Sequence, residues 1–190
     1  MKYNIDMKKY IQYLSLALAI SGMVSCLPQD VIFEDDGANG IVEIYNFNSA
    51  RSASQTYASR DINALLAYPG EYDFEINATS FDFPIVVNYT GNHGAPKDVT
   101  VELAVDEAIA DVVGRQTGLD YAVLPASAYT LPGNSVTIAG GANRAEYRVQ
   151  VNASVLTAGK VYVLGIKITG ASGGTVSGNF AAGGFYFKAL

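Results

Sequence analysis

From Ile41 to Leu190 apolar and polar residues alternate in short runs, separated by turns rich in Gly, Pro and Asn. A period of two marks extended chain with one buried face. Ile41-Val-Glu-Ile-Tyr-Asn-Phe47, with its β-branched and aromatic residues, predicts the first strand. Residues 48–68 show no clean period, and Asp61 to Leu66 fits either a helical turn or a strand. Glu71 to Ala78 sets Tyr72, Phe74 and Ile76 against Glu71, Asp73 and Glu75, which predicts a half-buried strand. Phe81, Phe83, Ile85, Val87 and Tyr89 line one face of the next strand. Pro84 stands on its other face and cannot donate to a ladder, so an edge position or a bulge is expected. Further strands are predicted at Val99–Val105, Val136–Ile138, Tyr147–Val151, Tyr162–Ile168 and Phe185–Phe187. Ala139-Gly-Gly-Ala142 reads as a hairpin-like turn.

One segment changes period. Ile109, Val112 and Val113 form an i, i+3, i+4 stripe, which predicts a helix over Asp106 to Gln116. Asp106 is placed to cap its N-terminus, Glu107 complements the dipole, and Gly118 can close the C-terminus. Asp111 and Arg115 are spaced for an i, i+4 pair. So short a helix is marginal alone, so its stripe is expected to pack over one end of a larger body. The fold class is therefore all-β: an immunoglobulin-like antiparallel β-sandwich, one domain over residues 41–190, with one short helix between strands.

The first 25 residues have a different logic. Lys2, Lys8 and Lys9 precede an apolar run from Ile11 to Val24, too short for a comfortable membrane span. This reads as a signal peptide over residues 1–25, with Met1 or Met7 as the start. Met23-Val-Ser-Cys26 resembles a bacterial lipobox, which makes Cys26 the expected lipidation site. More than one acyl chain gives stable anchoring. Residues 26–40, with Asp30, Glu34, Asp35 and Asp36, read as an acidic tether. The expected location is the outer membrane, lipid-anchored and facing the cell surface, with the periplasmic leaflet as the alternative.

Composition narrows the chemistry. The chain has 190 residues, 49% of them hydrophobic and 16% charged, with a net charge of -6. That balance, without a basic stripe, argues against nucleic acid as a partner. A single Cys and a single His, His93, leave no material for a nucleophilic triad or a zinc site. No catalytic residue, metal or cofactor is assigned, and Asp106 and Glu107 are explained by capping. Asp98, Asp106, Asp111 and Asp120 surround the helical segment, but without the ligand spacing of a calcium loop. There are 13 Tyr and 8 Phe but no Trp. Tyr57, Tyr121 and Tyr129 fall in expected loops and are candidate glycan contacts, because sugars stack on aromatic faces. For Tyr121 and Tyr129 the favoured reading is a wedge locking the loop onto the sandwich, because their flanking apolar residues suit burial.

Several blocks resemble the DUF1735 family of Bacteroidetes lipoproteins, also called the BT_3987-like N-terminal domain. They are Phe83-Pro-Ile-Val-Val-Asn-Tyr-Thr-Gly91, Asp98-Val-Thr-Val-Glu-Leu-Ala-Val-Asp-Glu-Ala108, Thr117-Gly-Leu-Asp-Tyr121, Leu124-Pro-Ala-Ser-Ala-Tyr-Thr-Leu131 and Tyr162-Val-Leu-Gly-Ile-Lys-Ile168. The chain departs from the family pattern at Val112-Val-Gly114 and at Gly165. The resemblance implies a β-sandwich, a lipid anchor and a place in glycan-foraging systems; it transfers no site residues. The expected function is a non-catalytic surface module that binds polysaccharide or other surface lipoproteins. The alternative is a fimbria-like structural subunit assembling by strand addition.

Overall fold

Two sheets face each other across an aromatic core. The computed structural model describes residues 40–47, 55–68, 71–91 and 93–190. All of these fall in the unit Asp35–Leu190. The expected leader, Cys26 and the tether up to residue 39 lie outside the described residues.

The first sheet runs in the order β10 (Thr175–Val176), β1 (Ile41–Ile44), β3 (Phe81–Thr90), β8 (Arg144–Val151), β6 (Tyr129–Thr130). The second runs β2 (Ala58–Asp61), β11 (Ala182–Lys188), β9 (Val161–Ala171), β4 (Val99–Val105), β7 (Ser135–Ile138). A short β5 (Tyr121–Val123) joins the free length of β9 beyond the end of β4. Most pairings are antiparallel, as expected; β1–β10, β2–β11 and β5–β9 are parallel. The predicted inward residues are buried on β3, β8 and β9, and on β4 Val99, Val101 and Leu103 are buried while Val105 is half-buried. Between the sheets, Phe47 lies 4.9 Å from Phe185, and Phe81 meets Phe187 edge-on at 5.1 Å. Such pairs contribute about 0.5–1.5 kcal/mol each beyond burial.

Four sequence expectations need correction. First, Pro84 lies in a central strand, not an edge strand. Strand β1 stops at Ile44, opposite Val87, so the Pro84 nitrogen faces a flank with no ladder. The buried Asn46 side chain fills that flank, donating to the Pro84 carbonyl at 3.3 Å and accepting from the Val86 amide at 2.7 Å. A missing N–H costs nothing where no partner strand exists.

Second, Glu71–Ala78 pairs with no strand. Tyr72 and Phe74 are buried and their neighbours exposed, as the alternation predicts. The segment is an extended strap over the outer face of the first sheet. Arg148, pointing outward from β8, donates to the Asp73 carbonyl at 2.8 Å, and Arg144 pairs with Glu71 at 3.5 Å. Outward-facing Pro84 and Val86 are buried in consequence.

Third, the turn at 139–142 joins β7 to β8 but crosses from one sheet to the other, so it is no hairpin.

Fourth, the helix α2 (Glu107–Thr117) lies on the outer face of the second sheet rather than over an end. Its buried side is Ile109, Ala110, Val113 and Gly114, against Val163, while Val112 is only half-buried. The close approach needs glycine beneath it. A Cβ on Gly165 would lie 2.6 Å from the Ala110 amide nitrogen, and one on Gly184 2.7 Å from a Val113 methyl. The expected caps are present. Asp106 accepts from the amides of Ala108 at 3.0 Å and Ile109 at 3.3 Å, and Gly118 takes the left-handed conformation at φ 70°.

Candidate functional site

The structure separates the three tyrosines singled out from sequence. Tyr57 and Tyr121 flank the small apolar cluster under α2, whereas Tyr129 lies on β6 in the other sheet and packs on the main core. Tyr57 is held by its backbone: its amide donates to the Gln116 side chain at 3.2 Å, which returns a bond to its carbonyl at 3.0 Å. The Tyr121 ring covers Gly114, and its hydroxyl donates to the Asp111 carboxylate at 2.5 Å. That hydrogen bond, with Arg115, lowers the Asp111 pKa. Burial, with the charge of Glu107, raises the Tyr129 phenol. Each ring has a packing task, Tyr57 and Tyr121 against one apolar cluster and Tyr129 against the other.

The four acids around the helix are likewise dispersed. Asp98 accepts from the Gly140 amide at 2.8 Å, Asp106 caps α2, and Asp111 serves Tyr121 and Arg115. Asp106 also takes Lys167 at 2.8 Å, and that hydrogen bond leads the causes lowering its pKa. Of the four, Asp120 lines a cavity.

That cavity is a cleft of about 390 Å³ beside the C-terminal end of α2, lined by Asp61, Asn63, Leu119, Asp120, Gly159, Val161, Tyr186 and Lys188. Its construction follows from strand parity. In Phe185-Tyr-Phe187 the two phenylalanines enter the core, so Tyr186 faces out. The parallel ladder sets Asp61 of β2 in register with Tyr186. Asp61 also caps the single-turn helix α1 (Ile62–Leu65), accepting from the Asn63 amide at 2.9 Å and from its side chain at 3.2 Å. The loop after Gly118 supplies Leu119 and Asp120. Tyr186 is half-buried; burial first, then the Asp61 charge, raises its phenol pKa, so it remains a neutral hydroxyl. The side chains of Asp120 and Lys188 have no hydrogen bond or ion pair among the described residues.

A flat half-buried ring, two carboxylates, an amide and an ammonium around a small open cleft can stack on a polyhydroxylated ring and bond its hydroxyls. Tyr186 was legible as an outward tyrosine between two inward phenylalanines. Asp61 was not linked to it by any local pattern.

Two facing sheets with a helix on one outer face define a β-sandwich of the kind found in Bacteroides multidomain proteins. The chain belongs to the DUF1735 family: the profile of the BT_3987-like, N-terminal domain matches residues 66–175. Among solved structures it is similar to a candidate carbohydrate binding protein from Bacteroides ovatus, at 18% identity and a TM-score of 0.52, over 78% of this chain and 37% of that one. It is similar to Bacteroides thetaiotamicron EndoBT-3987 with Man5GlcNAc product, at 13% identity and a TM-score of 0.52, over 68% of this chain and 28% of that one. A multidomain protein including DUF1735 from Bacteroides ovatus matches at 12% identity and a TM-score of 0.50, over 78% and 44%. The chain thus spans less than half the length of each of these three proteins. No curated protein matches it.

Proposed function

We propose that this chain is a non-catalytic, lipid-anchored accessory module of the outer membrane that holds glycan at the cell surface through the cleft around Tyr186. The observation that carries the reading is the cleft itself: an outward aromatic ring ringed by Asp61, Asp120 and Lys188, the last two without partners among the described residues. The glycan-related descriptions of two similar structures support it. Cys26 is the proposed attachment point, and labelled palmitate in the mature chain, absent in Cys26→Ser, is the expected result.

Affinity electrophoresis of the purified chain through gels containing soluble polysaccharides tests the binding. Retardation by at least one polysaccharide, abolished by Tyr186→Leu, is expected. Unaltered mobility in every gel would leave the chain a structural part only.

The alternative is a subunit assembling by strand addition, which needs a displaceable terminal strand. Strand β11 is hydrogen-bonded to β9 on one flank and β2 on the other, and carries Phe185 and Phe187 into the core. Displacing it would expose both rings, which weighs against that alternative.

A further inference from the structure

We infer that the Tyr186 cleft selects short, uncharged stretches of glycan and disfavours acidic ones. This rests on the glycan reading above and adds its substrate class. Size, platform and charge each contribute to it.

At about 390 Å³ the cleft lies near the lower end of the ~300–1,000 Å³ usual for small-molecule sites. That space suits one or two sugar rings, not a long chain. Its platform is a single ring, since Tyr186 is the only aromatic among the described lining residues. A lone half-buried tyrosine stacks one sugar face.

Charge decides the class. Asp61 and Asp120 bring two carboxylates and Lys188 one ammonium, so the lining carries one excess negative charge, of the same sign as the whole chain at -6. A uronate or sulfated sugar would place a like charge among these carboxylates, and unfavourable juxtapositions of that kind exclude wrong partners. Neutral hydroxyls meet no such penalty. A hydroxyl both donates and accepts, so it can give to Asp120 or Asp61 and take from Lys188.

The test is calorimetric titration of the purified chain with neutral manno-, xylo- and gluco-oligosaccharides and with oligogalacturonates of equal length. At least one neutral series is expected to bind, with affinity levelling off by about three units. Oligogalacturonates are expected to bind at least ~5-fold more weakly at low salt, with the gap narrowing as salt screens it. Asp120→Asn should shrink the gap, and Lys188→Gln should widen it. Tyr186→Leu keeps apolar bulk against the helix cluster but removes the ring, and should abolish binding with little change in melting temperature. Equal or tighter binding of oligogalacturonate at low salt, or a ratio unmoved by Asp120→Asn, overturns the charge selection and leaves glycan binding standing. Affinity that climbs through six units overturns the short site. Silence from both series overturns this inference together with the reading it rests on.

Discussion

Gly165 and Asp106 are locked backbone to backbone: the Asp106 amide donates to the Gly165 carbonyl at 3.0 Å, and a Cβ on Gly165 would collide with the Asp106 carbonyl. The first turn of α2 therefore sits directly on the middle of β9. Gly165→Ala should cost about 2–3 kcal/mol, because the obstruction is main chain and cannot rotate away. Gly184→Ala should cost less, since it meets the Val113 side chain. Gly178→Ala, where nothing lies within 4 Å, should be near neutral. Urea denaturation of the three variants measures the ranking.

Asn46 is the one polar residue among the buried described residues, and it supplies a donor and an acceptor to the flank of β3. Asn46→Ala leaves the Val86 amide and the Pro84 carbonyl unpaired in the interior. A loss of about 2–3 kcal/mol in denaturant unfolding is expected, from unsatisfied backbone groups at ~1–3 kcal/mol.

Asp106 links capping to pH. Asp106→Ala should cost about 1 kcal/mol at neutral pH through loss of the cap. Asp106→Asn keeps a capping oxygen but removes the charge that Lys167 faces at 2.8 Å. The folded-state pKa of Asp106 is lowered, chiefly by the Lys167 hydrogen bond. Its charge therefore stabilises the fold above the unfolded value of ~3.9, and that contribution disappears as pH falls through the folded value. Melting curves of the wild type and Asp106→Asn should differ at pH 7 and converge near pH 2. A gap that persists into acid would remove the ionic component.

Arg148 holds the strap. It pairs with Asp82 at 2.5 Å and with Glu146 at 2.8 Å while donating to the Asp73 carbonyl. These partners are well exposed, so Arg148→Met should cost under about 1 kcal/mol globally. Locally it should loosen the strap: faster exchange is expected at the Glu71 and Tyr72 amides, which donate to the Tyr68 carbonyl, with β3 and β8 unchanged. Uniform exchange changes across both strands would show that Arg148 supports the sheet instead.

Legibility in the sequence followed the physics of each pattern. Period-two alternation assigned the inner and outer faces of β3, β8 and β9, and it assigned the burial of Tyr72 and Phe74 as well. It failed to say that residues 71–78 lack a ladder, because alternation reports a half-covered extended chain whether or not its backbone is paired. The proline rule pointed Pro84 to an edge because it counts missing donors; Asn46, 38 residues away, removes the need for one. The caps at Asp106 and Gly118 were readable because they are local. The Tyr186 cleft was only half readable. Outward parity marks the tyrosine, but Asp61 reaches it through a parallel pairing between distant segments, and Asp120 through the docking of α2.

Among the described residues, strand β11 is the one bridge between β2 and β9 in the second sheet. During synthesis that sheet cannot become continuous until residues 182–188 leave the ribosome, however long β9 and β4 have already been paired. Completion of the sheet is thus timed by the arrival of β11, and slow closure follows from so many long-distance pairings.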